Sequence, residues 1–399
     1  MSKYTELAGK CMDYLKAFYY LIFRNMIAIQ PNRVMLFTFQ GQYTCNPKGI
    51  GEALHRKYPE IQCVWVYFSD KSSFPKGDVC VKFQSREYYR MLYSSAVLVD
   101  NAFNFAKRPF HKKAGQYFVE TMHGSLGIKR IDAGSGRTRK RNKNGYKTGE
   151  MTDYIISNST FENDVYRTSF WENTPVVMLG HARNDILISC RNDGAAAKNL
   201  RRKILEFYGL EDDVHIAMYA PTFMRGTEEN YESLDDIGLK AALEKRFGGT
   251  WYIMKRLHPR DVRNGEIQKN SEWVLDGKLY ADINELMVAV DVGITDYSSW
   301  IFDYVLMGRP CMIFAPDIEQ YRNSTGFYYP IESTPFPIAR NNCELQSAVS
   351  SIEPEEFKKK ALDFVADKGC IDDGCASDYA AEMIAGLLHG KKPSSNPKN

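Results

Sequence analysis

Several things are missing from this sequence, and each absence closes off a class of function. No Cys-x-x-Cys pair occurs. The nine cysteines, at 11, 45, 63, 80, 190, 311, 343, 370 and 375, are odd in number, and no histidine accompanies the close pair Cys370 and Cys375. A zinc site or a disulfide framework is therefore not expected; reduced, mostly buried thiols are. No stretch can span a bilayer: within residues 7–29 the longest uncharged run is Ala17–Phe23, far short of the roughly 20 residues a crossing helix needs. No small-residue cleavage site follows a clean apolar core, so a signal peptide is not expected and the cytoplasm is the expected compartment. Charge of one sign is scarce. The 52 basic and 49 acidic residues leave a net of +3, which argues against a whole-surface polyanion binder but permits a local basic patch. No Asp-x-Asp pair appears, and Asp291 and Asp296 are too far apart to replace one, so no essential metal is expected.

What is present is a globular composition. At 399 residues, 44% hydrophobic and 25% charged, the chain is neither disordered, collagen-like nor a multi-span membrane protein, and its length suits two or three domains. Aromatic residues are plentiful at 13%, which suits a large core, wide pockets or a lipid interface.

The first segment reads as an amphipathic helix within residues 1–30. Helical spacing puts Leu15, Phe18, Tyr19, Ile22 and Met26 on one face, flanked by Lys10, Lys16 and Arg24. That face either packs on its own domain or lies in a membrane interface, and Pro31 is expected to end the helix. Beyond it, short apolar strands alternate with helices. Strands are expected at Val34–Phe39, Cys63–Phe68, Val79–Phe83, Ala96–Val99, Tyr117–Thr121, Tyr154–Ser157 and Val176–Leu179. A second set is expected at His215–Tyr219, Trp251–Lys255, Trp273–Leu275, Val292–Thr295 and Met312–Phe314. Continuous apolar runs between helices predict parallel sheets covered on both faces. The fold class is thus α/β, two doubly wound Rossmann-like domains with an intervening cleft. The expected boundaries are 31–200 and 201–390, with 391–399 a disordered tail. Ligands are expected at the carboxyl ends of the strands and in the cleft.

Polar junctions after five strands carry the candidate chemistry. The strongest is Gly293-Ile-Thr-Asp-Tyr-Ser-Ser-Trp-Ile-Phe-Asp303. A strand ending at Thr295 runs into a helix starting near Ser299, with Asp296, Ser298 and Ser299 as capping oxygens. Exposed amides at such a turn favour phosphate, and Asp303, one turn on, suits a polyol hydroxyl. An ordinary capped helix would look the same. The second junction is Lys255-Arg256-Leu-His258-Pro-Arg260, where three cations and an imidazole at a strand's end suit a diphosphate. The third is Glu120-Thr-Met-His123-Gly124, then Lys129-Arg130. Histidine is the side chain best suited to take a proton near neutral pH, and Gly124 permits close approach of a ligand. The last two, Tyr219-Ala-Pro-Thr222-Phe-Met-Arg225 and Gly180-His-Ala-Arg183-Asn-Asp185, are weaker alone. Eight basic residues against one acid fill Lys129–Lys147, and the glycines among them predict a mobile loop facing a membrane or a polyphosphate, or merely solvent. A nucleic-acid surface fits worse, because no series of aromatic stacking residues interleaves with the charges.

The order of these motifs resembles the CDP-glycerol glycerophosphotransferase family, which includes teichoic acid primases, polymerases and ribitol-phosphate transferases. The motifs are His-Gly with following basics, Ser157-Asn-Ser159, Gly-x-x-Arg-Asn-Asp, Tyr-Ala-Pro-Thr-Phe, His-Pro, Ile294-Thr-Asp-Tyr-Ser-Ser-x-x-Phe-Asp303, Gly-x-Pro and Gly326-Phe-Tyr328. The match runs from about Phe37 to about Pro337. The resemblance implies a GT-B architecture and transfer of glycerol phosphate or ribitol phosphate from a CDP-alditol to a hydroxyl, with release of CMP. It implies no cofactor beyond that donor, a lipid-linked glycan or teichoic or capsular polymer as acceptor, and a peripheral place on the cytoplasmic membrane face.

By position, the resemblance makes His123 the general base and His258 the contact for the donor phosphates. Thr295, Asp296, Ser298 and Ser299 would bind phosphate and Asp303 the alditol. Gly124, Arg183, Asp185, Thr222, Arg225, Lys255, Arg256 and Arg260 complete the substrate-binding set. The chain departs from the family in carrying His-Gly-Ser-Leu-Gly-Ile-Lys for His-Gly-Thr-Pro-Leu-Lys, and Gly-His-Ala-Arg-Asn-Asp for Gly-Tyr-Pro-Arg-Asn-Asp. Met224 also intervenes before Arg225, which bears on the role of that arginine. The rivals are a GT-B glycosyltransferase using a nucleotide sugar, which would release UDP or GDP, and a non-catalytic binder of CDP-alditols.

Overall fold

The computed structural model describes residues 3–125, 127–131, 139–222, 232–257, 261 and 272–393, with backbone alone for 3–10 and 139–141. The chain divides into two units, each built on one parallel sheet.

In the first unit the strands are β1 (Gln30–Phe37), β2 (Gln62–Tyr67), β3 (Val79–Lys82), β4 (Ser95–Asp100), β5 (Tyr117–Glu120), β6 (Tyr154–Ser157) and β7 (Val176–Met178). Their order is β3-β2-β1-β4-β5-β6-β7, with every pairing parallel. Val34–Phe37 are buried on both faces, which is why β1 reads as an unbroken apolar run. One face packs Leu36, Trp65 and Val99 on the helix Cys45–Lys57, and the other packs Phe37, Leu98 and Phe118 on Tyr88, Leu92 and Phe105. Gly51 lets the first of these helices close on the sheet, since a Cβ there would run into the Trp65 ring.

In the second unit the strands are β8 (His215–Tyr219), β9 (Trp251–Lys255), β10 (Val274–Asp276), β11 (Val292–Thr295), β12 (Cys311–Phe314) and β13 (Ile338–Ala339). The order is β10-β9-β8-β11-β12-β13, again all parallel. Both sheets therefore wind outward in two directions from their first strand. The strand order reverses between β1 and β4 in one unit and between β8 and β11 in the other. In open sheets of this kind the crevice for ligands lies at the carboxyl ends of the strands where the order reverses.

The structure corrects several expectations. The first boundary falls at Asp185/Ile186, not at 200. The helix Gly194–Tyr208 belongs to the second unit because Ile204 and Leu205 are buried and Arg201 binds the carbonyl of Val214 (2.6 Å) and the carboxylate of Asp291 (3.1 Å). The C-terminal stretch from Ile371 returns to the first unit. Its helix Ala376–Leu388 presents Ala380, Ala381 and Ile384 to the core around Leu36 and Ile50. Residues 124–137 group with the second unit although the sequence places them within the first.

Pro31 does not end the first helix. That helix, Lys3–Phe23, stops earlier, and Pro31 sits near the start of β1, where a missing N–H is tolerated. Its inner face packs through buried Ala17 and through Tyr20, which stacks on Tyr89 at 5.0 Å; Leu15, Phe18, Tyr19, Ile22 and Met26 are exposed. Among the described residues no helix is long and apolar enough to cross a membrane.

The basic stretch is not a loop throughout, because Arg139–Met151 is helical. Two glycines of this helix are packing residues: a Cβ at Gly145 would lie 2.6 Å from the Phe170 ring, and one at Gly149 would strike the Phe170 carbonyl. Residues 132–138 and the expected tail from 394 lie outside the described residues. The cysteines are less uniformly buried than expected, with Cys11, Cys343 and Cys375 exposed.

Candidate functional site

In the first unit the crevice is lined by the ends of β1, β4 and β5. Asp100 closes β4 and turns the chain, its carboxylate accepting amides of Asn101 (2.8 Å), Ala102 (3.1 Å), Asn104 (2.6 Å) and Phe105 (3.2 Å). Burial pushes its carboxyl up, and those amides oppose the shift. Glu120 closes β5 in the same way, accepting the amides of Thr121 and Met122. Burial, and then the charge of Asp100, hold its carboxyl well above the usual carboxylate range.

The chain turns sharply at Met122, whose φ is +51°. His123 follows, exposed, with its ring stacked on Phe39 (5.4 Å between centroids, 15° between planes). Its Nδ1 meets the carbonyl of Asn101. A carbonyl only accepts, so Nδ1 carries the proton and the neutral ring keeps its lone pair on Nε2. Geometry alone therefore gives this imidazole the tautomer of a base acting through Nε2.

In the second unit the crevice lies between the ends of β8 and β11. Thr295 is buried and its hydroxyl donates to the Ala220 carbonyl (2.8 Å), which the Trp300 indole also binds (2.6 Å). Asp296 accepts the amide of Thr222 at 2.7 and 2.8 Å, and those of Tyr297 and Ser298, the last at 3.2 Å. It thus ties the two strand ends together. The turn expected to offer exposed amides to phosphate has committed those of Tyr297 and Ser298 to this carboxylate.

The cradle moves one residue along. Ser299 precedes the helix Trp300–Tyr304, and its hydroxyl makes no capping bond. The amides of Ser299, Trp300 and Ile301 fall in the first turn, where a helix has no carbonyl of its own to offer them. Ser298 and Ser299 are half-buried beside them. The backbone at Gly124 comes so close that a Cβ there would lie 2.9 Å from Ser299 Oγ. From Gly124 the segment runs on to pair with Gly326-Phe-Tyr328, through Tyr328 N to Ile128 O (2.9 Å) and Arg130 N to Gly326 O (3.4 Å). Tyr297 stacks on Tyr321 at 3.9 Å and lies against Phe327, which stiffens the same rim.

The remaining sequence-derived residues are placed differently. Lys255 is buried and pairs with Asp236 at 2.6 Å. Arg256 holds the carbonyls of Gly277, Tyr280 (2.6 Å) and Ala281 (2.9 Å), bracing the loop after β10. Both cations therefore have structural partners. Asp303 is 2% exposed and faces the interior. Asp185 caps the helix Ala376–Leu388, accepting the amides of Ala376 (2.9 Å) and Ser377 (2.8 Å), and burial pushes its carboxyl up to about 6. Arg183 is buried, its amide on Asn46 Oδ1 (3.1 Å) and its guanidinium near Cys45. Thr222 lines the β8 end. Arg225, His258 and Arg260 lie outside the described residues.

Sequence reasoning missed Phe39, Asn46, Asn101 and Glu120, which surround the His123 turn. Of these only Glu120 stood inside a recognised motif. The rest reach His123 through the parallel pairing of β1, β4 and β5 and carry no local signal.

The chain resembles known proteins over most of its length. A family model described as CDP-Glycerol:Poly(glycerophosphate) glycerophosphotransferase matches residues 18–386. The chain is 28% identical over 375 residues to the teichoic acid poly(glycerol phosphate) polymerase of Staphylococcus epidermidis, covering 89% of this chain and 51% of that one. It is 25% identical over 404 residues to the polymerase of the same description from Bacillus spizizenii, covering 96% and 100%. The chain thus spans about half the length of the first relative and all of the second. A solved structure of a variant of the wall teichoic acid polymerase TagF soaked with CDPG superposes with a TM-score of 0.80 at 26% identity, covering 98% of this chain and 99% of that one. On the match over most of its length, the chain belongs to the CDP-glycerol:poly(glycerophosphate) glycerophosphotransferase family.

Proposed function

We propose that the chain is an alditol-phosphate transferase of the GT-B class. It moves glycerol phosphate, or ribitol phosphate, from a CDP-alditol to a hydroxyl of a lipid-linked glycan or teichoic or capsular polymer. The observation that carries the reading is the His123 imidazole, held by the Asn101 carbonyl in the tautomer whose basic nitrogen is Nε2. CDPG soaked into the related TagF supports the choice of donor.

The mechanism follows from the two crevices. Nε2 of His123 takes the proton of the acceptor hydroxyl as its oxygen attacks the β-phosphorus of the CDP-alditol in line. The bond to the bridging oxygen breaks, and CMP leaves with the electron pair. Such transfers need positioning and charge neutralisation more than covalent help. The amides of Ser299–Ile301 and the hydroxyls of Ser298 and Ser299 supply part of the positive field in the second unit. His258, Arg225 and Arg260 are assigned the donor phosphates by their motifs. Lys255 and Arg256 act from behind, by holding their loops. The proposal assigns no metal. The exposed face of the first helix and the basic segment at Lys129–Lys147 are both assigned to the cytoplasmic membrane surface.

The test is incubation with CDP-glycerol or CDP-ribitol and a lipid-linked acceptor, read by CMP release and mass spectrometry. A gain of one phospho-alditol or a ladder is expected. His123→Ala and His258→Ala are each expected to melt like the parent yet lose turnover by about 10²-fold or more. Near-parental turnover in both, or release of UDP or GDP from nucleotide sugars, rejects the reading.

A further inference from the structure

We infer that Asn46 is a positioning residue for His123, holding through its side-chain amide the turn at Met122 that presents the imidazole. The inference rests on the reading of His123 as the general base. Asn46 lies in the first turn of the helix Cys45–Lys57 and is 1% exposed. Its Nδ2 donates to the carbonyls of Thr121 (3.0 Å) and Met122 (3.1 Å), the two residues before His123. Its Oδ1 accepts the amide of Arg183 (3.1 Å). These partners fix the orientation of the amide, because the carbonyls can only accept and the backbone N–H can only donate. They also fix the residue type. A side chain of this length must offer two protons on one atom and a lone pair on the other, which neither aspartate nor leucine does.

The turn needs holding. Met122 sits at φ +51°, a left-handed conformation that a side chain with a Cβ rarely adopts and that persists only where the surroundings over-determine it. Glu120 fixes the amide side through Thr121 N (3.2 Å) and Met122 N (2.9 Å), and the Asp100 carbonyl adds a bond to Thr121 N (2.9 Å). Asn46 fixes the carbonyl side. The Thr121 hydroxyl also reaches the Met122 carbonyl, but at 3.4 Å. Behind the amide stands His181, fully buried, with Nδ1 3.4 Å from Asn46 Nδ2 and Nε2 2.9 Å from Glu162. The clamp therefore joins three segments that leave the carboxyl edge of one sheet, after β1, β5 and β7. It gives the Gly180–Asp185 motif a purpose that its own side chains do not show: Arg183 offers its backbone to the amide that aims the base.

A double-mutant cycle tests this. CMP release from CDP-glycerol with a lipid-linked acceptor is measured for Asn46→Ala, His123→Ala and the double variant. The expected result is a kcat loss of about 10-fold or more for Asn46→Ala, with KM for CDP-glycerol within about twofold of the parent. The double variant is expected to be no slower than His123→Ala alone, because Asn46 acts only through the imidazole. Two results overturn the inference while leaving His123 as the base: near-parental kcat in Asn46→Ala, or a double variant slower than His123→Ala by the factor Asn46→Ala shows by itself. Normal turnover in His123→Ala defeats the base assignment and this inference with it. If Asn46→Ala does not fold, Asn46→Asp carries the same cycle, since it keeps the acceptor for Arg183 N and loses both donors.

Discussion

Removing the carboxylate of Asp236 takes a counter-ion from an ammonium held in the interior. Lys255 closes β9 and is 1% exposed, while the side chain of Asp236, in the first turn of the helix Asp236–Phe247, keeps 21% of its exposure. The two partners of this 2.6 Å pair are therefore not equivalent. Asp236→Asn takes a counter-ion at 2.6 Å from a buried charge, a loss of about 3–5 kcal/mol. Lys255→Met leaves a carboxylate on a side chain that is 21% exposed and at the positive end of a helix, while a methionine fills the vacated space, so the loss is expected nearer about 1–2 kcal/mol. At about 2–4 °C per kcal/mol for a unit of roughly 200 residues, Asp236→Asn is expected to lower the melting temperature of the second unit by about 6–20 °C, and Lys255→Met by about 2–8 °C. The Asp236→Asn/Lys255→Met double variant is expected to recover most of the larger loss. Differential scanning calorimetry with a parallel CDP-glycerol titration is the assay. Were Lys255 a direct ligand of the donor phosphates, Lys255→Met would melt like the parent and lose CDP-glycerol affinity, and Asp236→Asn would be mild. That pattern refutes the argument from burial.

Two further substitutions probe the candidate site and its scaffold. Asp185 has its carboxyl raised from 3.8 to about 6 by burial, so the folded state binds more protons than the unfolded between those values. Its contribution is full below pH 3.8 and lost as pH rises through 6, a span of about 3 kcal/mol. The stability gap between the parent and Asp185→Asn is thus expected to shift in the parent's favour from pH 7 to pH 4; a gap flat across that range contradicts the assignment. Gly124→Ala places a Cβ 2.9 Å from Ser299 Oγ, displacing the hydroxyl proposed to meet phosphate. Turnover is expected to fall on the order of 10-fold or more with little change in melting temperature, and an unaffected rate would show that this contact has no part in donor binding.

How much of this could be read from the residues depends on the range over which each signal acts. Strands buried on both faces are largely apolar, so β8, β9 and β11 could be bounded from the sequence to the residue. The short strand β13 and the alanine-rich helix Ala376–Leu388 have no comparable pattern. The latter helix is placed by small residues that fit against Leu36 and Ile50, a property of the surface it meets. Motif residues such as His123, Ser298 and Ser299 announced themselves because glycine, hydroxyl and imidazole groups cluster at strand ends for local backbone reasons. Lys255 and Arg256 carried the same signal, and the fold gave their charges to Asp236 and to carbonyls.

The sequence by itself determined the two α/β units, the parallel sheets and the strand-end loops that bear the candidate chemistry, because these follow from hydrophobic period and turn composition along contiguous chain. Only the tertiary structure decided which nitrogen of His123 is basic, which amides of the Ser299 turn are taken by Asp296, and that Asn46 grips the backbone ahead of His123. Each of these depends on partners brought across the sheet by strand order, and hydrogen bonds are made between neighbours in space, whatever their distance in sequence.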